Sequence, residues 1–456
     1  MKYISTRNSK IEFTFKEVFI KGLADDGGLY VPKSLKRFSP QELLELKNLN
    51  YNQLSAEIIN LFTGDFISKE DLFSLVSKSY STFREKEVIK ISKIGDLRLL
   101  ELFHGPTLAF KDIAMQFIGN LYEYYLSKNN KMINIVVATS GDTGAAAIDA
   151  IKGKSNLNIF VIHPHNRISS VQRKLMTTVD EKNVFNIAIN GNFDDCQNIV
   201  KTMFSDLEFS KSINMSGVNS INWARIIAQS VYYFYTYFTL NTDKPVSFSV
   251  PTGNFGDVFA GYIAKKMGLP IDKLIVATNE NDILHRAISK GDYVSKEVKE
   301  TLSPSMDIQL ASNFERLIYY TNNLDTSKTL EIMKKIKRNS YQIEKNNLQI
   351  IQNDFLSESC NKQETLEIIK KNYDKNNIIL DPHTAVGVGV VNKLSLNDCV
   401  VLSTAHPCKF PDATISALNK FEKLPKTLEH VINKEENFQL LKNNVEEVKS
   451  FIKNKL

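Results

Sequence analysis

Lys111 is the residue whose neighbours best equip it for nucleophilic chemistry. It stands near the end of the run E-L-F-H-G-P-T-L-A-F-K-D at residues 101–112, and three apolar residues, Leu108, Ala109 and Phe110, lead into it. Ile113, Phe117, Leu121 and Tyr125 then recur every fourth position, with Ile118 and Tyr122 beside them, which is the spacing of a helix. That spacing puts Lys111 at a helix N-terminus, where the positive end of the dipole disfavours an ammonium. Desolvation acts in the same direction, and a neutral amine there can form a Schiff base with an aldehyde. A solvated lysine at a helix start is the ordinary alternative, since lysines are seldom buried. The rest of the chain has to decide.

Four other stretches carry groups suited to anions or to a polar ring. P-T-G-N-F-G-D at 251–257 follows a strand-like run and precedes a helical one, with Gly253 and Gly256 three apart. Free N–H groups of such a loop and the helix dipole can face a phosphate without a cation. It is neither a P-loop nor the G-x-G-x-x-G dinucleotide fingerprint. T-S-G-D-T-G at 139–144 is a second glycine-rich turn, able to hold a carboxylate, with Asp142 in reach of a polar ring substituent. Taken singly, each loop reads equally as a tight strand–helix turn. N-S-I-N-W-A-R at 219–225 brings an amide, a hydroxyl and a guanidinium together, the groups that bind phosphate or carboxylate by charge-assisted hydrogen bonds. An N-cap followed by an ordinary helix arginine is the plainer account of it. S-T-A-H-P at 403–407 sets two hydroxyls past a strand end, where one could bond a ring nitrogen or simply satisfy a turn. His104, His383 and His406 lack metal-ligand spacing and read as polar lining or turn residues, so no metal is expected.

The elements that must position these groups alternate. Residues 1–95 read as mainly helical around the turn G-L-A-D-D-G-G-L-Y-V-P at 22–32, with helices expected at 40–49 and 69–83. From residue 96 the rhythm becomes strand, glycine-rich turn, helix. Strands are expected at 97–103, 133–138, 159–162 and 183–189, and again at 246–250, 274–278 and 399–403. The aromatic stripe of 223–239 reads as helix core, and 324–378 as solvated helix. The fold class is therefore α/β: two doubly wound domains with mainly parallel sheets, at 96–240 and 241–456, behind a helical region at 1–95. Ligands on such sheets bind at the carboxyl ends of strands, where these turns would gather.

Composition excludes several function classes. The 456 residues carry 57 basic and 51 acidic side chains, a net charge of +6 with no basic stripe, which gives nucleic-acid binding little support. No apolar run approaches a membrane span, and the first residues lack the apolar centre of a signal peptide. Cys196, Cys360, Cys399 and Cys408 are widely spaced and read as reduced thiols of a cytoplasmic protein. Oligomeric state is not legible.

Together, E-L-F-H-G-P-T-L-A-F-K-D, A-T-S-G-D-T-G-A-A, N-S-I-N-W-A-R, P-T-G-N-F-G-D, D-P-H-T-A-V-G and S-T-A-H-P resemble the threonine synthases, in their longer bacterial and fungal branch. The N-terminal S-T-R and G-L-A-D-D-G-G-L-Y-V-P fit the same branch, except that Asn8 stands where a glycine is usual. The resemblance implies a fold type II pyridoxal-phosphate enzyme, similar to the tryptophan synthase β subunit. It implies pyridoxal phosphate on Lys111, its phosphate on Gly253, Asn254, Phe255, Gly256 and Asp257, and its ring nitrogen on Thr404. Asp142 would lie near the ring hydroxyl, and Thr143, Asn219, Ser220 and Arg225 would hold a substrate phosphate. The implied reaction converts O-phosphohomoserine and water to threonine and phosphate. Its rivals are a phospho-lyase that releases 2-ketobutyrate and a catalytically silent anion-binding relative.

Overall fold

Runs of aliphatic and β-branched residues, each closed by a glycine- or hydroxyl-bearing turn, supply the strands. The computed structural model describes residues 1–218 and 220–456. Its larger sheet has six strands in the order Phe355–Ser359, Ile271–Thr278, Val246–Pro251, Val400–Ser403, Leu97–Glu101, Lys90–Ile94. Neighbours run parallel except the last two, a hairpin turned at Gly95, whose φ of 58° suits glycine. The other sheet has five parallel strands in the order Gln439–Leu441, Val184–Ile189, Leu157–Pro164, Ile133–Ala138, Met215–Ser216. Val400–Ser403 is buried throughout, and Ile133–Ala138 all but its last residue, as parallel strands covered by helices on both faces must be. The α/β class and the mainly parallel sheets are those the sequence implies.

The sheets cut across the bounds at residues 96 and 241. Leu97–Glu101 pairs with Val400–Ser403, in the sheet otherwise built from the later segment. Conversely, Gln439–Leu441 from the far end of the chain pairs with Val184–Ile189. Local sequence says that a run is a strand, but its partner is chosen by the packing of the whole. The strand Phe355–Ser359 lies inside the stretch expected to be solvated helix. It is an edge strand, and only Phe355 of it is fully buried, so it shows little of a core strand's apolar pattern.

The N-terminal region is mainly helical, and it also holds a small antiparallel sheet, Asn8–Phe13, Tyr3–Ser5, Tyr30–Pro32. Helices Tyr51–Thr63 and Lys69–Tyr80 bury Leu54, Ile58, Ile59, Leu72 and Val76. They pack on Trp223–Leu240 and Lys111–Asn129. Those two long helices in turn back the functional site. Among the described residues no helix is long and apolar enough to cross a membrane, and no cluster of His, Cys, Asp or Glu could hold a metal ion. All four cysteines are buried free thiols.

Candidate active site

A cavity of about 450 Å³ opens at the carboxyl ends of Ile133–Ala138, Val246–Pro251 and Val400–Ser403, between the two sheets. Its wall brings together Lys111, Asp142, Thr143, Ser220, Arg225, the loop Gly253, Asn254, Phe255, Gly256 and Asp257, and Thr404. Asn219 lies outside the described residues.

The helices Lys111–Asn129, Asp142–Ile151 and Gly256–Lys266 all begin at this cavity, and in none does the residue before the helix supply a side-chain cap, although Thr139 Oγ1 accepts from the Gly144 N–H at 2.8 Å in the second. On the surface, by contrast, Phe15–Lys21, Pro40–Leu46 and Tyr51–Thr63 each carry a capping box. Uncapped first-turn N–H groups with the positive dipole end behind them are a ready anion site. Phe255 makes the turn into the last of these helices with a φ of 63°, a costly conformation for a bulky residue. Its ring is locked against Phe314 and Phe355.

Lys111 is 8% exposed, with Nζ 3.3 Å from Asp142 Oδ2, 3.4 Å from the Ser305 hydroxyl and 4.7 Å from the centre of the Phe110 ring. Burial lowers its pKa, Asp142 opposes this, and the Lys409 and Arg225 cations lower it further. Burial alone would raise the Asp142 carboxyl; Lys409, Lys111 and His383 outweigh it and hold the group well below the usual carboxylate range.

Arg225 is buried without a carboxylate partner. Among the described residues its Nη1 reaches the Val218 carbonyl at 3.5 Å, and its buried Nε has no partner. Burial brings its pKa down to about 10. Asp257 Oδ1 accepts bonds from the hydroxyls of Tyr232 (2.5 Å) and Tyr233 (2.9 Å), while its buried Oδ2 has none. Burial raises this carboxyl to about 6 against the two phenol bonds. Tyr232 and Tyr233 therefore do more than fill the core.

The chain matches the family of the threonine synthase N terminus over residues 2–80. It matches the pyridoxal-phosphate dependent enzymes over 96–404 and the threonine synthase C-terminal family over 384–452. It belongs to the threonine synthase family. It is 46% identical to the threonine synthase of Saccharomyces cerevisiae, across 92% of this chain and 89% of that one. Identity to the threonine synthase of Pseudomonas aeruginosa is 43%, across 99% and 98%. The crystal structure of pyridoxal-phosphate-bound threonine synthase from Brucella melitensis aligns with a TM-score of 0.96 at 43% identity, covering 100% of this chain and 99% of that one.

The stretches that line the site are tied together by side chains that periodicity alone did not single out. Asn313 donates from Nδ2 to the carbonyls of Asn254 (3.0 Å) and Ser220 (3.2 Å), joining the glycine loop to the Arg225 stretch. Arg316, wholly buried, grips the Asn313 side chain and the carbonyls of Tyr30 and Ile221. Next to it, Glu315 takes Arg7 in a two-point ion pair and Thr6 at 2.6 Å. The S-T-R and G-L-Y stretches are thus the outer anchor of the site. Asn8 follows that anchor without adopting a positive φ, so nothing in its backbone calls for glycine. Ser305, His383 and Lys409 are further site residues. His383 lines the cavity, gives Nδ1 to Asp381 at 3.0 Å and leaves Nε2 without a partner. His383 was read as a polar lining residue; Lys409, two residues past S-T-A-H-P, and Ser305 were not marked.

Proposed function

We propose that the protein converts O-phospho-L-homoserine and water to L-threonine and phosphate, with pyridoxal phosphate as cofactor. Family membership across the full chain supports this, and so does one structural observation: two separate places for an anion flank Lys111. One is the uncapped helix start at Gly256, and the other is the guanidinium of Arg225, which has no carboxylate partner among the described residues. With the 139–144 turn available to the substrate carboxylate, these two places suit a cofactor phosphate and a substrate phosphate, and a dehydratase of unphosphorylated threonine or serine would leave the second unused.

The donor set fits pyridoxal phosphate. Lys111 would hold its aldehyde carbon, the N–H groups of the loop from Gly253 to Asp257 its phosphate, and the Thr404 hydroxyl its ring nitrogen. A hydroxyl at that nitrogen, in place of an acid, leaves it largely unprotonated. Asp142 would lie by the ring hydroxyl. When bound, the cofactor supplies an electron sink for charge that develops on the substrate's carbon atoms. Lys111 serves as the base at Cα and Cβ. Thr143, Asn219, Ser220 and Arg225 hold the substrate phosphate, which fixes the Cγ–O bond and favours its cleavage over loss from Cβ. Water then adds at Cβ. The proposed compartment is the cytoplasm, where four unpaired buried thiols would stay reduced.

The test is to incubate the protein with O-phosphohomoserine and quantify products. Threonine and phosphate in equal amounts support the proposal; phosphate with 2-ketobutyrate in place of threonine would establish a phospho-lyase.

A further inference from the structure

One buried carboxylate, Asp142, stands between two buried lysines. Lys409 is 0% exposed and, unlike Lys111, does not face the cavity. Its Nζ lies 2.7 Å from Asp142 Oδ1 and 2.7 Å from the Thr107 carbonyl oxygen. Gln172 Nε2 adds a bond to the same Asp142 oxygen at 2.8 Å. The oxygen facing Lys111 has only longer contacts, 3.3 Å to Nζ and 3.5 Å to the Ser305 hydroxyl. A single carboxylate cannot neutralise two ammonium groups in a dry interior, and an unpaired buried charge is costly. The short charged contact on Asp142 belongs to Lys409.

We propose that Lys409 is a positioning residue: it takes Asp142 as its own counter-ion from behind the cavity and thereby leaves Lys111 an uncharged amine. This rests on the reading of Lys111 as the cofactor lysine. The other groups around the pair do not supply Lys111 with an anion. Asp257 turns one oxygen to Tyr232 and Tyr233, and among the described residues neither of its oxygens forms an ion pair with Lys111, whose one ion pair is with Asp142. Asp112 accepts from the Thr107 N–H at 2.8 Å and hydroxyl at 2.5 Å. Asp381 is held by His383 and Thr384. Arg225 adds a second positive charge, and Lys111's lowered pKa accords with this balance. The bond from Lys409 to Thr107 also fastens the turn that leads into Lys111. That turn is zipped to the Lys409 stretch by Phe110 N–H to the Thr404 carbonyl (2.8 Å) and His406 N–H to the Leu108 carbonyl (3.0 Å).

The experiment reloads the full chain, stripped of cofactor, with pyridoxal phosphate across a pH series and follows the visible band of the lysine-bound cofactor. With Lys409→Met, Asp142 turns to Lys111 and holds it as an ammonium. Loading at neutral pH should slow by about tenfold or more, and its pH dependence should move up by about one unit. Asp142→Asn alone should move it down, because Lys409 then repels a charge on Lys111. Adding Lys409→Met to Asp142→Asn should bring it back up, and this comparison decides the matter if the single methionine variant does not fold. Unchanged loading in Lys409→Met, or a double variant identical to Asp142→Asn, would overturn the proposal. Borohydride reduction with peptide mapping separates the two layers. Label on Lys111 with no pH shift sinks the role of Lys409 alone, whereas label on another lysine sinks the assignment of Lys111 itself.

Discussion

The carbonyl oxygen of Ser305 sits 2.3 Å from where a Cβ on Gly253 would lie. The backbone of the segment around Pro304–Met306 therefore rests directly on the loop read as the cofactor phosphate cradle, and the Ser305 side chain reaches from there to Lys111. Gly253 is required by this contact within the protein, not only by close approach to a phosphate. At Gly256 an added Cβ would meet the Asn313 side chain at 3.3 Å, a tight but yielding contact.

The two glycines should therefore respond differently to alanine. Gly253→Ala forces two backbones apart and should weaken retention of pyridoxal phosphate by about tenfold or more, with a stability loss of roughly 1–3 kcal/mol. Gly256→Ala should cost clearly less on both counts. Equilibrium dialysis of the cofactor and thermal melts of both variants check this; equal effects would remove the role given to Ser305.

Arg225 should be dispensable for folding and needed for substrate. Among the described residues its one hydrogen bond is a long one to the Val218 carbonyl, so Arg225→Leu frees a single, weakly held acceptor. It removes a buried, uncompensated cation, and the melting temperature without substrate should hold or rise. Loss of a charge-assisted contact should lower kcat/KM for O-phosphohomoserine about ten- to a hundredfold, with the cofactor's visible spectrum intact. Kinetics equal to the parent's would refute the role.

The chemistry of the site was legible where residue types cluster in one stretch of chain. Lys111 with its apolar lead-in, the Gly253–Gly256 pair and the strand–turn–helix rhythm all stand out, and the structure brings them to one cavity. What was not legible depends on residues far apart in sequence. Ser305 lies in a stretch without periodicity and matters because its backbone crosses Gly253 and its hydroxyl reaches Lys111. Lys409 lies two residues past S-T-A-H-P, and its burial against Asp142 becomes visible only once the chain has folded. The pairing of Leu97–Glu101 with Val400–Ser403 joins strands some three hundred residues apart, beyond the reach of any local pattern.

Asp257 should impose a pH dependence on stability. Its folded pKa of about 6 stands above the ordinary 3.8, because burial disfavours the charged form. A raised carboxyl stabilises the fold fully below the unfolded pKa, and that stability is lost as pH rises through about 6. The separation corresponds to something on the order of 3 kcal/mol. Asparagine keeps an oxygen for both tyrosine hydroxyls and carries no charge. In melts of the cofactor-free protein, Asp257→Asn should gain on the parent as pH rises from about 4 to about 8. A difference that stays flat with pH would show that Asp257 does not titrate in this way.

Cleavage of the Cγ–O bond followed by hydration at Cβ leaves its mark when the reaction runs in heavy-oxygen water. With O-phosphohomoserine as substrate, threonine should carry label in its hydroxyl group beside an equal amount of phosphate without label, because the phosphate keeps the oxygen that joined it to Cγ. Label in the phosphate with homoserine as the other product, or 2-ketobutyrate in place of threonine, would contradict it.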